Sequence, residues 1–304
     1  MEKYIVLEKQ VGETPLACAE AWRAAQPPAY TDVPLAYAGR LDPMASGKLL
    51  VLIGEECKKQ EQYHGLDKEY EFSVLFGISS DTHDVLGRLE VCLEMTGEPT
   101  SPSVALRAAR PSLTTSRDIG SPVLSDEVLK RLVLDLVGDI AIPYPLFSSK
   151  TVKGKPLHTW TLEGRLDEIE IPTNESTIYE LELTGVETKS REEVAREARD
   201  KIDTIPPVTD PRKALGNDFR RVDVRKDWAE IAQNNFTQNN SGPVHLPDSY
   251  TIAHFRCTAS SGTYMRSLAH LIGERLGTCG LAWHIHRTKI GTFDPITATW
   301  KQVF

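Results

Sequence analysis

Asp42 stands between Leu41 and Pro43 in the run AGRLDPMASG, residues 38–47. Proline restricts the residue before it to extended conformations and removes a backbone donor. Gly39 and Gly47 let the chain turn or approach a neighbour closely. Such a segment can present one carboxylate rigidly from a loop beside a strand, to act as base or nucleophile. Asp-Pro also begins ordinary turns, so the spacing alone leaves both readings open. Arg266, in SSGTYMRSLAHLIG (260–273), falls in the first turn of a helix opened by Gly262 and Thr263. A helix N-terminus favours anions, which suits a phosphate or carboxylate there, though an arginine at such a place is more commonly just solvated. Tyr70, in DKEYEF, lies on a strand pattern, where it can pack in a core or stack on a base.

Several other chemistries lose their footing. The sequence has no G-x-G-x-x-G, no P-loop, no G-x-S-x-G and no H-E-x-x-H. The five cysteines are scattered, without a C-x-x-C pair, which argues against a disulfide framework or a zinc site and for reduced thiols in a cytoplasmic protein. His284 and His286 share a strand face, but no third ligand accompanies them, and no metal is expected. No run approaches 18 apolar residues and the first residues lack a signal-peptide core, so neither a membrane span nor a leader is expected.

The elements that must position these residues are readable in outline. Strands are expected at 4–7, over KLLVLIG (48–54), and at 69–78, 177–183 and 250–258, with one or two more in the last 20 residues. Helices are expected at 15–25, at 125–137 with Ser125 as cap, from a capping box at Ser190 to about Lys201, and over 262–276. Residues 98–122 read as a surface loop. The Pro-, Asn- and Asp-rich stretch 204–247 reads as a surface region with one short helix around Trp228. Strands mixed with occasional helices and long connections indicate an α+β domain, not a regular βαβ repeat.

The formal charge of the 304 residues is −8. It is unevenly spread: 163–203 carries 13 acidic and 6 basic residues, 147–155 is +3, and 256–289 is +4. An acidic chain can therefore still hold a polyanion footprint, although the same charges can simply solvate a surface.

Taken together, these segments resemble the TruB family of RNA pseudouridine synthases. AGRLDPMASGKLLVLIGEECK resembles the family's Gly-x-Leu-Asp-Pro-x-Ala-x-Gly motif and following strand, and DKEYEFSVLFGISSDTHDVLG its Lys-x-Tyr strand and Thr-Asp-x-x-Asp-x-x-Gly turn. PYPLFSSKTVKGKPLH resembles the Pro-Pro-x-Tyr-Ser-Ala-x-Lys-x-x-Gly segment, and FRCTASSGTYMRSLAHLIGERLGTCGLAWHIHRTKIGTF the Gly-Thr-Tyr-Ile-Arg helix with the Leu-Arg-Arg-Thr strand. Four motifs in register, over about 3–183 and 250–296, are specific where one would not be. Departures are Ala36-Tyr37 for the usual Gly-His, Arg40 for Thr or Ala (arginine there is the sister RluA pattern), His158 for Tyr and His286 for the first Arg of a pair.

The resemblance implies the pseudouridine synthase fold, a mixed, largely antiparallel central sheet flanked by helices and loops. It implies a single catalytic domain over 1–304, with 184–249 an enlarged insertion and no C-terminal PUA domain. Asp42 takes the place of the catalytic aspartate, Tyr70 of the tyrosine stacked on the target base, and Arg266 of the arginine paired with the aspartate. Ile285 takes the place of an apolar residue near the base. Lys150 and Lys153 lie in the cleft-shaping segment, and the basic segments around Lys150 and Arg287 would hold phosphates. The implied reaction turns a uridine of RNA, uridine 55 of the tRNA T-loop first, into pseudouridine. It uses no cofactor or metal and is carried out by a cytoplasmic monomer. A synthase acting on another RNA, an RNA-binding or RNA-chaperone protein on the same fold, and a structural domain without an RNA role are the alternatives.

Overall fold

The computed structural model describes residues 2–92, 126–206, 219–238 and 244–304. β1 (Tyr4–Lys9) leads through α1 (Pro15–Ala24), capped by Thr14, to β2 (Leu35–Ala38) and β3 (Ala45–Ile53). After α2 (Gln60–His64) come β4 (Asp67–Phe76) and a hairpin of β5 (Ile78–Ser80) and β6 (Leu89–Val91). α3 (Asp126–Leu136), β7 (Gly138–Pro143), a hairpin of β8 (Thr151–Val152) and β9 (Lys155–Pro156), α4 (Leu157–Leu162) and β10 (Thr173–Ser190) follow. The remainder is α5 (Arg191–Asp203), α6 (Phe219–Ala232), β11 (Ser249–Ala259), α7 (Met265–Arg275), β12 (Gly280–Asp294) and β13 (Thr299–Val303).

Nine strands form one sheet in the order β1-β3-β12-β4-β11-β10-β7, with β2 beside β3 and β13 beside β12. Its pairings are antiparallel except that of β3 with β12. This is the α+β, largely antiparallel sheet expected from the sequence. The second half of β3 is a continuous apolar run because both its faces are covered: Leu49, Leu50, Val51 and Leu52 are fully buried. The edge strand β7 alternates half-buried and exposed residues instead.

α7 packs on one face of the sheet through Met265, Leu268, Ala269, Ile272 and Leu276, a helical stripe that meets Phe72, Val74 and Phe255. A Cβ at Gly273 would lie 2.4 Å from the Gly280 nitrogen, so only glycine lets α7 come this close to the start of β12.

The described residues of 204–247 correct the expectation of a surface region there. β10 runs on to Ser190, whose hydroxyl and backbone form a capping box with Glu193. α6 spans 14 residues where only a short helix is expected. Val194, Ala198, Ile202, Trp228 and Ile231 pack with Leu75, Ile252, Leu281 and Trp283 into a second core. Leu75 and Ile252 point away from α7, so this core lies on the sheet's opposite face. The expected loop at 98–122 and the Ser125 cap lie outside the described residues.

The cysteine expectation is also corrected. Cys92 and Cys279 form a disulfide across 187 residues of sequence, while Cys18, Cys57 and Cys257 stay free. Spacing along the chain carries no sign of it. The two meet because the Gly77 N–H bonds the Cys279 carbonyl and the Cys92 N–H bonds the Gly77 carbonyl. Thiol titration of the unfolded, unreduced protein is expected to count three thiols; a count of five would contradict the pairing. No helix among the described residues is long and apolar enough to cross a membrane.

Candidate active site

Asp42 sits at the start of β3 on a loop held from several sides. The Pro43 carbonyl accepts the Gly12 N–H at 2.8 Å, and the Asp42 carbonyl accepts the Ala45 N–H at 3.0 Å. Gly47 has φ +103°, and a Cβ there would lie 2.3 Å from the Arg287 carbonyl oxygen, so glycine is needed where β3 crosses to β12.

Two buried cations, Lys9 and Arg287, fasten the same stretch by donating to its backbone carbonyls, and a third, Lys68, ties the neighbouring segment before β4. Lys9 Nζ reaches the Ala45 and Gln10 carbonyls at 2.5 and 2.8 Å. Lys68 Nζ donates to the carbonyls of His64 and Leu66 and to the Ser261 hydroxyl. Burial, partly offset by nearby acids, pulls Lys9 down to about 8; burial and then Arg287 pull Lys68 to about 8. Arg287 Nε donates to the Lys48 carbonyl at 2.7 Å and Nη2 to the Gly39 carbonyl at 3.2 Å.

That placement corrects the assignment of Arg287 to RNA phosphates. With 1% exposure and its donors given to the two ends of the Asp42 loop, it shapes the loop from beneath. Charged residues are so seldom buried that nothing in the sequence pattern places Arg287, Lys9 or Lys68 inside. The Lys-x-Tyr spacing is the available sign for Lys68, which projects from β4 on the same face as Tyr70.

Arg266, the second residue of α7, is 4% exposed and ties the site together. Its Nε donates to Asp42 Oδ2 at 2.6 Å, Nη1 to the Thr82 carbonyl at 2.7 Å and Nη2 to the Phe147 carbonyl at 3.3 Å. A second carboxylate, Asp84, lies 3.9 Å from Nε. Asp84 is buried and accepts the Thr82 hydroxyl at 2.6 Å and the Leu86 N–H at 3.0 Å. Burial raises the Asp84 pKa, against Arg266 and these two donors. Burial works against the Arg266 charge, but Asp42 and Asp84 outweigh it and raise its pKa. Asp84 is absent from the residues singled out by sequence. Its sign is the final Asp of SSDTHD, in the turn after β5, which folds back against Arg266.

Tyr70 and Ile285 belong to one apolar cluster with Phe72 and with Leu41 and Ala45, which flank Asp42 in sequence. Ile285 is registered between Ala45 on β3 and Phe72 on β4. Asp42 keeps 38% of its side chain exposed while this apolar wall is buried, so the carboxylate stands at the rim of the cluster. Of the two lysines predicted to shape the cleft, Lys150 lies over the Tyr144 ring, 4.7 Å from its centroid. Lys153 turns away and donates to the Glu168 carbonyl.

His83 sits between Thr82 and Asp84 with φ +61° and stacks on His270 of α7, ring centroids 4.1 Å apart. Burial, then His270 and Arg266, pulls its pKa from 6.5 to about 3. As pH falls below 6.5 the unfolded chain gains a proton here that the folded chain refuses until about 3. Stability is therefore lost across that window. His83→Asn tolerates the left-handed backbone and cannot titrate. Urea unfolding of this variant is expected to lose less stability between about pH 7 and about pH 5 than wild type; an equal loss would contradict the assignment.

Residues 33–105, which include Asp42 and Tyr70, match the N-terminal domain of the TruB family pseudouridylate synthases. The chain is 24% identical over 258 residues to tRNA pseudouridine synthase B of Caldicellulosiruptor saccharolyticus, covering 85% of this chain and 58% of that protein. It is 25% identical over 272 residues to tRNA pseudouridine synthase 4 of Saccharomyces cerevisiae, covering 80% and 57%. It is 31% identical over 147 residues to tRNA pseudouridine synthase B of Caldanaerobacter subterraneus, covering 48% and 42%. The chain thus spans less than two thirds of the length of these relatives. Through the matched domain and these relatives, the chain is similar to the TruB family of pseudouridine synthases.

Proposed function

We propose that the protein isomerises a uridine of RNA to pseudouridine, with tRNA as substrate and uridine 55 of the T-loop as its first target. The observation that carries this reading is the Asp42–Arg266 pair, 2.6 Å apart, at the rim of a buried apolar cluster that holds Tyr70 and Ile285. The relatives named as tRNA pseudouridine synthases support tRNA as the substrate class.

The reaction breaks the C1′–N1 glycosidic bond and joins C1′ to C5, with loss of the C5 proton. Both available routes begin at Asp42: its carboxylate adds to C1′, or takes a proton from C2′ to give a glycal. Arg266 orients that carboxylate through one charge-assisted hydrogen bond, while its other donors are fixed on carbonyls. The uracil must leave the base stack, and Tyr70 and Ile285 form the wall that receives it. The chain acts as a cytoplasmic monomer in this reading.

Because C5 loses its hydrogen, tRNA carrying tritium at uridine C5 is expected to release tritium to water when the protein is added. No release from T-loop RNA or from any cellular RNA would overturn the proposal.

A further inference from the structure

Beyond the wall around the target base, a second group of aromatic side chains stands beside Asp42. Tyr264 is two residues before Arg266, at the N-terminal end of α7, and is half-buried. Its ring meets that of Tyr144 edge to face, with centroids 5.6 Å apart and planes at 72°. Lys150 Nζ lies 4.7 Å from the Tyr144 centroid. Tyr144 and Lys150 are also only half-buried. The segment bearing them is anchored at the site, because the Phe147 carbonyl accepts a hydrogen bond from Arg266 itself. Burial, then Tyr144 and Asp42, raises the Tyr264 phenol pKa, while Arg266 and the exposed Arg40 act against it. The ring is thus within electrostatic reach of the catalytic pair.

The chemistry of this group is that of a single-stranded nucleic-acid contact. An edge-to-face pair leaves the faces of at least one ring unstacked, and any base can stack there. The Lys150 ammonium, over one face of the Tyr144 ring, is placed for a backbone phosphate. Nothing in the proposed reaction at uridine uses these three side chains.

We propose that Tyr144, Tyr264 and Lys150 form a subsite for a nucleotide adjacent to the target uridine, its base stacked on the tyrosines and its phosphate met by Lys150. The proposal rests on the reading of the chain as an RNA pseudouridine synthase and names a further part of the RNA that it holds. The subsite tolerates any base, so it adds affinity and register, not sequence choice.

The test is a binding cycle on the Asp42→Ala protein, which cannot turn the RNA over. Dissociation constants are measured for a T-loop stem–loop, intact or abasic at the nucleotide 5′ or 3′ of the uridine. Tyr144→Ala is expected to weaken binding to the intact RNA on the order of tenfold. It should weaken binding far less to the RNA that is abasic at the stacked position. Tyr144→Phe, which keeps the ring, should restore the parent affinity, and melting curves of both variants establish that they fold. Lys150→Ala should reduce the salt slope of binding by about one ion. Equal losses from Tyr144→Ala on intact and on both abasic RNAs, or no loss at all, would overturn the subsite. Tritium release by the wild-type protein, run in parallel, reports separately on the synthase reading.

Discussion

Asp42→Ala is expected to lower tritium release from tRNA by at least about 10⁴-fold, the scale set by removing a group that attacks the substrate. The same variant should fold and bind RNA within a few-fold of wild type. The contrast follows from where Asp42 sits. Its side chain is 38% exposed, and its partner is a guanidinium that keeps three other contacts: Asp84 and the carbonyls of Thr82 and Phe147. Losing Asp42 therefore leaves one Arg266 donor unmet, a cost of about 1–3 kcal/mol. Asp42→Asn restores an acceptor to that donor and should recover most of the stability with no recovery of turnover. An RNA-binding or RNA-chaperone protein on this fold would not need the carboxylate. Undiminished RNA folding activity in Asp42→Ala, with no tritium release from wild type, would favour that reading.

Arg266→Met is expected to fail in both respects. Without the guanidinium the Asp42 carboxylate loses its orienting partner, and turnover should fall by roughly 10²–10⁴-fold, as when a positioned charged donor is removed from an active site. Stability should fall as well, by about 3–5 kcal/mol, because Asp84 is left as an uncompensated buried carboxylate. Arg266→Lys should not rescue turnover, since a single ammonium cannot reach Asp42, Thr82 and Phe147 in the fork that guanidinium provides. Adding Asp84→Asn to Arg266→Met should regain part of the lost stability and none of the lost activity. Urea unfolding and tritium release on the same preparations measure both. Turnover of Arg266→Met within about threefold of wild type would contradict the role given to the arginine.

The parts of the fold that the sequence discloses are those in which local pattern and burial agree. β3 ends in the unbroken apolar run 49–53, α7 carries an apolar stripe at helical spacing, and the Ser190–Glu193 box marks the start of α5. The length of α6 is hidden because FRRVDVRKDWAEIA is rich in charge. Among its described residues Val224, Trp228 and Ile231 are buried in the second core, with Ala232 packed against it, and the Trp228 indole donates to the Val85 carbonyl next to Asp84. Arg88 adds a 2.8 Å ion pair to Asp227 of the same helix. A stretch with the composition of a surface insertion therefore supports the turn that holds Arg266, a long-range relation that no local pattern carries.

The site divides in the same way. Asp42, Tyr70, Arg266 and Ile285 are legible from motifs, and the fold brings them together. The fastening beneath them is not. Arg287, Lys9 and Lys68 are charged residues satisfied by main-chain carbonyls, and which carbonyls face inward depends on the tertiary path of the loop. The Cys92–Cys279 pair depends on the same kind of distant closure.

In the proposed function, Asp42 makes pseudouridine in RNA. The most direct test of this is nucleotide-resolution pseudouridine mapping of RNA from cells lacking the gene, and from the same cells supplied with wild type or with Asp42→Asn. A T-loop signal at tRNA position 55 is expected to vanish without the gene, to return with wild type and to stay absent with Asp42→Asn. A signal that persists in the deletion at every RNA position, or that Asp42→Asn restores, would contradict it.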